Sequence, residues 1–169
     1  MTELQHLINI AHSPIYNYVI PGVTSYLIDD KGRVRLFHCS RNHIEVVIPH
    51  SYRFDFSARV LQGRVTNLMF LETNDKSVDT YEVSNLEYGK EPGKYKITPG
   101  PVKRFLINKK TYHEGETYGM THNEIHSIQF VKNTYLLIYE SEERSRTSKI
   151  LQPHINEETI ATFKVEPWM

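Results

Sequence analysis

The sequence predicts an all-β domain, a β barrel or double-sheet jelly roll with a short N-terminal helix. Three observations lead there. Tyrosine is abundant, at 11 of 169 residues, and valine, isoleucine and threonine are well represented, a composition that favours strands. Short apolar or alternating runs recur between turn signals, the pattern of a sandwich or barrel. Helical periodicity is confined to Thr2 to Ala11, where Leu4, Leu7, Ile8 and Ala11 mark one face and Thr2 is placed to cap, and to a weaker turn at Glu157 to Ala161.

The elements follow in order. Val19-Ile20 leads into a Pro21-Gly22 turn. Ser25 to Ile28 reads as a strand, closed by the hairpin signal Asp29-Asp30-Lys31-Gly32, with Val34 to His38 returning. Glu45 to Ile48 is a further strand, ended by Pro49. Phe54 to Leu61 and Val65 to Leu71 flank a Gln62-Gly63 turn, and Asn74-Asp75-Lys76 turns the chain again. Asp79 to Val83 fits a strand, Glu87 to Lys94 an exposed loop, and Pro99-Gly100-Pro101 a break. Arg104 to Ile107, His126 to Val131 and Thr134 to Tyr139 complete the series, the last two joined by Lys132-Asn133 as a tight hairpin. Ser141 to Lys149 is polar and charged and reads as a mobile loop. The length suits a single domain over 1–169, with a barrel core at about 19–140 and a C-terminal tail over 141–169.

Composition excludes several classes of function. The 20 basic and 20 acidic residues balance, which argues against binding duplex nucleic acid through bulk charge. Cys39 is the single cysteine, so no disulfide forms within the chain, as suits a reducing compartment. No run approaches the roughly 20 apolar residues of a membrane span, and Met1 to Ile10 lacks a secretory pattern. The expected location is the cytoplasm, with no membrane partner.

Two segments could carry chemistry. The first is Pro49-His50-Ser51-Tyr52-Arg53-Phe54-Asp55-Phe56, continuing to Gly63. Alternation along a strand puts His50, Tyr52, Phe54 and Phe56 on one face. The other face takes Ser51, Arg53, Asp55 and Ser57, so Arg53 and Asp55 could form an ion pair. The second segment runs from Gly115 to Ile128 and delivers His126 at the start of a strand. A barrel fold could bring His50 and His126 together. Arg59 and Arg64 could recognise an anionic ligand, since guanidinium binds carboxylate and phosphate in a bidentate way. His38, His43 and His113 read as surface or structural histidines, and Cys39 as an inert buried thiol.

On these residues the chain resembles the cupin superfamily. His50 and Gly63 fall at the spacing of the first cupin motif, and Gly115 and His126 at that of the second. The resemblance covers roughly Val34 to Glu140. More narrowly, the chain is similar to small cupin-like proteins of bacteriophages, in which a His-x-His-Arg-x-Asp-Phe segment precedes a Val-Leu-x-Gly turn. It departs from the family pattern in three places. Tyr52 stands where the second histidine of the first motif belongs, Phe56 stands where its glutamate belongs, and Thr121-His122-Asn123 replaces the Pro-x-Gly of the second. The resemblance implies a small-molecule ligand held between His50, Tyr52 and His126. It also implies a divalent transition metal (iron, manganese, nickel or zinc) on His50 and His126, with His122, Glu124, Tyr52 or Asp55 as candidates for the third ligand.

Three functions compete. One is a pocket that binds a polar or anionic ligand and could use His126 as base and Tyr52 as acid. Another is a metal-dependent dioxygenase, isomerase or lyase. The third is a sequestering protein of phage origin, working in the host cytoplasm on a host nucleotide or signal. Cupins often pair, which leaves a homodimer open. Ile15 to Pro21 could then serve as an exchanged arm.

Overall fold

The computed structural model describes residues 1–18, 20–44, 48–90 and 94–154. Val19, most of the expected strand Glu45 to Ile48, part of the Glu87 to Lys94 loop and the helical turn at Glu157 to Ala161 lie outside them. Helix α1 (Glu3–Ile10) starts at a capping box. The Thr2 side chain accepts from the Gln5 backbone N–H, and the Gln5 side chain accepts from the Thr2 N–H. Eight residues are too few for a helix to persist alone in water. Leu7 secures it by packing on Leu36 and Leu137.

The strands are β1 (His12–Ile15), β2 (Val23–Leu27), β3 (Val34–Cys39), β4 (Phe54–Gln62), β5 (Arg64–Thr73), β6 (Thr80–Tyr88), β7 (Tyr95–Thr98), β8 (Val102–His113), β9 (Thr117–Met120), β10 (Ile125–Phe130), β11 (Thr134–Glu143) and β12 (Thr147–Pro153). They form two antiparallel sheets. The first has the order β1-β2-β3-β11-β4-β9, the second β10-β5-β8-β6-β12, with β7 beside β6. Alternation along β4 buries Phe56, Ala58 and Val60 and turns Ser57 outward. These inward residues meet Val65, Ile128 and Phe130 of the second sheet and form the main core. The architecture is the all-β double-sheet barrel expected from the sequence.

Two connections cross between the sheets at one corner. β4 passes to β5 through Gly63, and β10 passes to β11 through Val131, Lys132 and Asn133. Lys132-Asn133 is therefore not the hairpin expected from its length, because β10 and β11 do not pair. β11 lies instead between β3 and β4. Thr134 ties the crossings together, as its hydroxyl donates to Arg64 O at 3.1 Å and accepts from Arg64 N at 3.3 Å. Gly63 has φ +81°, and a Cβ there would stand 2.9 Å from the Thr134 Cα. Glycine is required at this corner on both counts.

The second sheet closes on itself. Its end strands β10 and β12 are both bridged by the segment around His50. His50 and His126 exchange backbone hydrogen bonds of 2.9 and 3.0 Å. On the other side Leu151 N donates to Pro49 O and Ser51 N to Lys149 O, each at 2.9 Å. A second core of Leu68, Phe70, Val83, Phe105, Ile125 and Leu151 fills the far face of this sheet.

Several expected loops are strands. Ser141 to Lys149 is divided between β11 and β12, so Thr147–Pro153 belongs to the second sheet and not to a tail. β6 continues to Tyr88, and β8 extends from Val102 to His113. Arg53 and Asp55 do not pair with each other. Arg53 meets Glu143 at 3.4 Å, while Asp55 meets His122 at 3.0 Å and Arg144 at 3.3 Å. Among the described residues no helix is long and apolar enough to cross a membrane.

Candidate functional site

Between the two sheets lies a cavity of about 220 Å³. The segment leading into β4 supplies one wall. His50, Tyr52, Phe54 and Phe56 share the inward face as alternation predicts, with the Tyr52 ring 4.9 Å from His50, 5.3 Å from Phe54 and 5.1 Å from Phe56. β10 brings His126 to the same wall, its ring 5.2 Å from His50 and 5.4 Å from Tyr52. Tyr18 and Tyr118 also line the cavity, as do Val23, Leu136 and Ile138 from the first sheet.

A buried hydrogen-bond chain fixes the His126 tautomer. Asn67 Oδ1 lies 2.6 Å from His126 Nδ1. An amide oxygen can only accept, so Nδ1 carries the proton. Nε2 is then an acceptor, and the Tyr52 hydroxyl donates to it at 3.2 Å. The Asn67 amide group points its N–H atoms at the Met69 and Met120 sulfurs, 3.3 and 3.9 Å away. His50 Nδ1 donates to Ile48 O at 2.9 Å.

Burial holds these groups uncharged. The His50 imidazole is pushed down to about 4 because its cation has no solvent to stabilise it. His126 is pushed well below the ordinary histidine range, first by burial and then by its electrostatic interaction with the neighbouring His50 ring. Burial raises Tyr52 and Tyr118 well above the usual phenol range. Charges gather elsewhere along the lining. Glu140, raised by burial against the pull of Arg35, lies 3.4 Å from that guanidinium. Arg53 stacks 4.0 Å over the Tyr88 ring.

The structure brings together His50, Tyr52 and His126 as the sequence anticipates, and disperses the rest. Arg59 is ion-paired with Glu3 and does not line the cavity. Its neighbours Ala58 and Val60 take the inward positions of β4. Arg64 is exposed beside a separate surface groove with Thr66, Thr111 and Gln129. His122 is held by Asp55 through both its backbone N–H and its ring, outside the cavity lining. Among the described residues no three His, Cys, Asp or Glu side chains are placed to share a metal ion. Both His126 nitrogens are engaged by Asn67 and Tyr52, so the donors present do not fit the three-ligand divalent site that the resemblance implies.

Sequence reasoning missed Asn67 and Tyr118. Asn67 had a signal, being a polar residue at an inward position between Val65 and Met69. Tyr118 sits in a four-residue strand whose Gly119 breaks the pattern, so nothing in the sequence singles it out.

No protein-family model matches the chain, and no curated protein matches it. Among solved structures it is similar to Drosophila melanogaster CENP-C bound to CAL1, at 14% identity over 82% of this chain and 92% of that one, with a TM-score of 0.43. It is also similar to the cupin domain of Drosophila melanogaster CENP-C at 13% identity, 82% and 92% coverage and a TM-score of 0.42.

Proposed function

We propose that this chain is a cupin-type small-molecule-binding domain whose cavity takes an uncharged, ring-sized ligand and holds it without transforming it. The observation that carries this reading is the cavity itself, about 220 Å³ in volume and walled by aromatic rings, whose buried imidazoles and phenols are held neutral. A dry apolar cavity of about 150 Å³ accommodates benzene, so this volume suits one substituted ring or a small fused pair. A charged ligand would lose its hydration there and find no matching charge at the His50–His126 wall.

This revises the expectation of an anionic ligand, since Arg59 and Arg64 lie elsewhere. The guanidinium that does reach the lining, Arg53, is already matched by Tyr88 and Glu143. Acid–base catalysis is disfavoured by the same electrostatics. A histidine whose proton affinity is this low is a weak base at neutral pH, and the Tyr52 proton is engaged by His126. Capture without transformation is the part of the sequestration reading that the geometry favours.

The test is a calorimetric titration with benzamide and benzoate, which share a shape and differ in charge. Benzamide is expected to bind, and benzoate about tenfold more weakly or worse. Tighter binding of benzoate, or no binding of benzamide, would overturn the proposal.

A further inference from the structure

The cavity contains one feature that its hydrogen-bond chain leaves over. Tyr118 pairs across from Ala58 and is 8% exposed. Its ring lies between Tyr112, stacked at 4.6 Å, and Phe56, edge-on at 6.2 Å. The ring is thereby fixed, and it lines the same cavity as Tyr52. Its hydroxyl is fully buried, and no protein group among the described residues hydrogen-bonds it. The Tyr52 hydroxyl gives its proton to His126, and the Asn67 amide is engaged by His126 and two sulfurs. A buried O–H without a partner is costly, and native proteins rarely leave one without reason.

We infer that Tyr118 is the specificity-determining donor of this cavity, and that the ligand is an uncharged ring compound presenting a hydrogen-bond acceptor, a carbonyl oxygen or a ring nitrogen, to its hydroxyl. The inference rests on the neutral-cavity reading above and narrows its ligand class. Burial keeps the phenol protonated, so it remains a donor throughout the physiological range. The aromatic wall of Tyr52, Phe54 and Phe56 supplies faces for the ring, while Tyr118 selects for the position of its acceptor.

Three compounds of similar size separate the possibilities at neutral pH by ligand-observed NMR titration. Naphthalene has no hydrogen-bonding atom, quinoline has a ring acceptor, and indole has a donor. The wild-type protein is expected to bind quinoline about fivefold more tightly than naphthalene, the equivalent of one ordinary hydrogen bond. Tyr118→Phe should lower quinoline binding to the naphthalene level and leave naphthalene binding unchanged. Because the substitution removes an unpaired hydroxyl and keeps the ring, the melting temperature of the free protein should not fall. Equal binding of quinoline and naphthalene to wild type, or tightest binding of indole, would overturn the role of Tyr118 while leaving the cavity reading intact. A large loss of stability in Tyr118→Phe would show the hydroxyl to be structural and would overturn it too. If none of the three compounds binds, the cavity reading itself fails and takes this inference with it.

Discussion

His50 and His126 meet twice, once through their backbones and once through their rings. The backbones exchange hydrogen bonds of 2.9 and 3.0 Å, and the rings stand 5.2 Å apart at 64°. The first contact joins the segment before β4 to β10 and so closes the second sheet. The second forms a wall of the cavity. One residue pair therefore sets both the closure of the barrel and the chemistry of its interior.

That pair makes stability depend on pH. The His50 imidazole has an ordinary value of 6.5 and is lowered to about 4 in the folded chain. The unfolded chain thus binds the proton more readily than the folded one over this interval. The stabilisation is fully present above about 6.5 and is lost as pH falls towards 4, a change of about 3 kcal/mol for the group. Urea unfolding at a series of pH values should show a plateau above neutrality and a decline below it, and an imidazole NMR titration should find no His50 protonation near 6.5. A His50 midpoint near 6.5 with flat stability would show that the ring is not buried as described.

The chain Asn67–His126–Tyr52 makes an asymmetric prediction. Asn67→Ala leaves the buried His126 Nδ1–H without its acceptor, at a cost of about 2–3 kcal/mol. Tyr52→Phe removes a donor from Nε2 and keeps the ring packing, at a cost of about 1 kcal/mol. Denaturant midpoints at unchanged slope would measure both. A cost for Tyr52→Phe equal to or above that of Asn67→Ala would contradict the tautomer assigned to His126.

Much of the barrel was legible because its strands alternate. The run from His50 to Phe56 reads directly as an inward face, and the structure keeps that face intact. Elements whose residues do not alternate were missed or shortened. β8 carries Asn108, Lys109, Lys110 and Thr111 on an exposed stretch, so neither face looks apolar. β12 lies beyond the charged run at Glu142 to Arg146, which reads as loop. The turn at Lys132-Asn133 has hairpin length, but only tertiary context reveals that it changes sheets. The histidine pair was visible from spacing. The acceptor that orients His126 and the leftover hydroxyl of Tyr118 depend on which side chains meet across the two sheets, and local pattern does not encode that.

The central claim is that an uncharged ring compound occupies the space between the sheets. Aromatic heteronuclear NMR during a benzamide titration tests it most directly. Resonances of Tyr52, Phe56, Tyr118 and His126 should shift together along one binding curve, while those of His122, outside the cavity, and of Tyr16, exposed on the surface, stay in place. Shifts confined to such outer residues, or no shifts in the cavity rings at saturating benzamide, would contradict it.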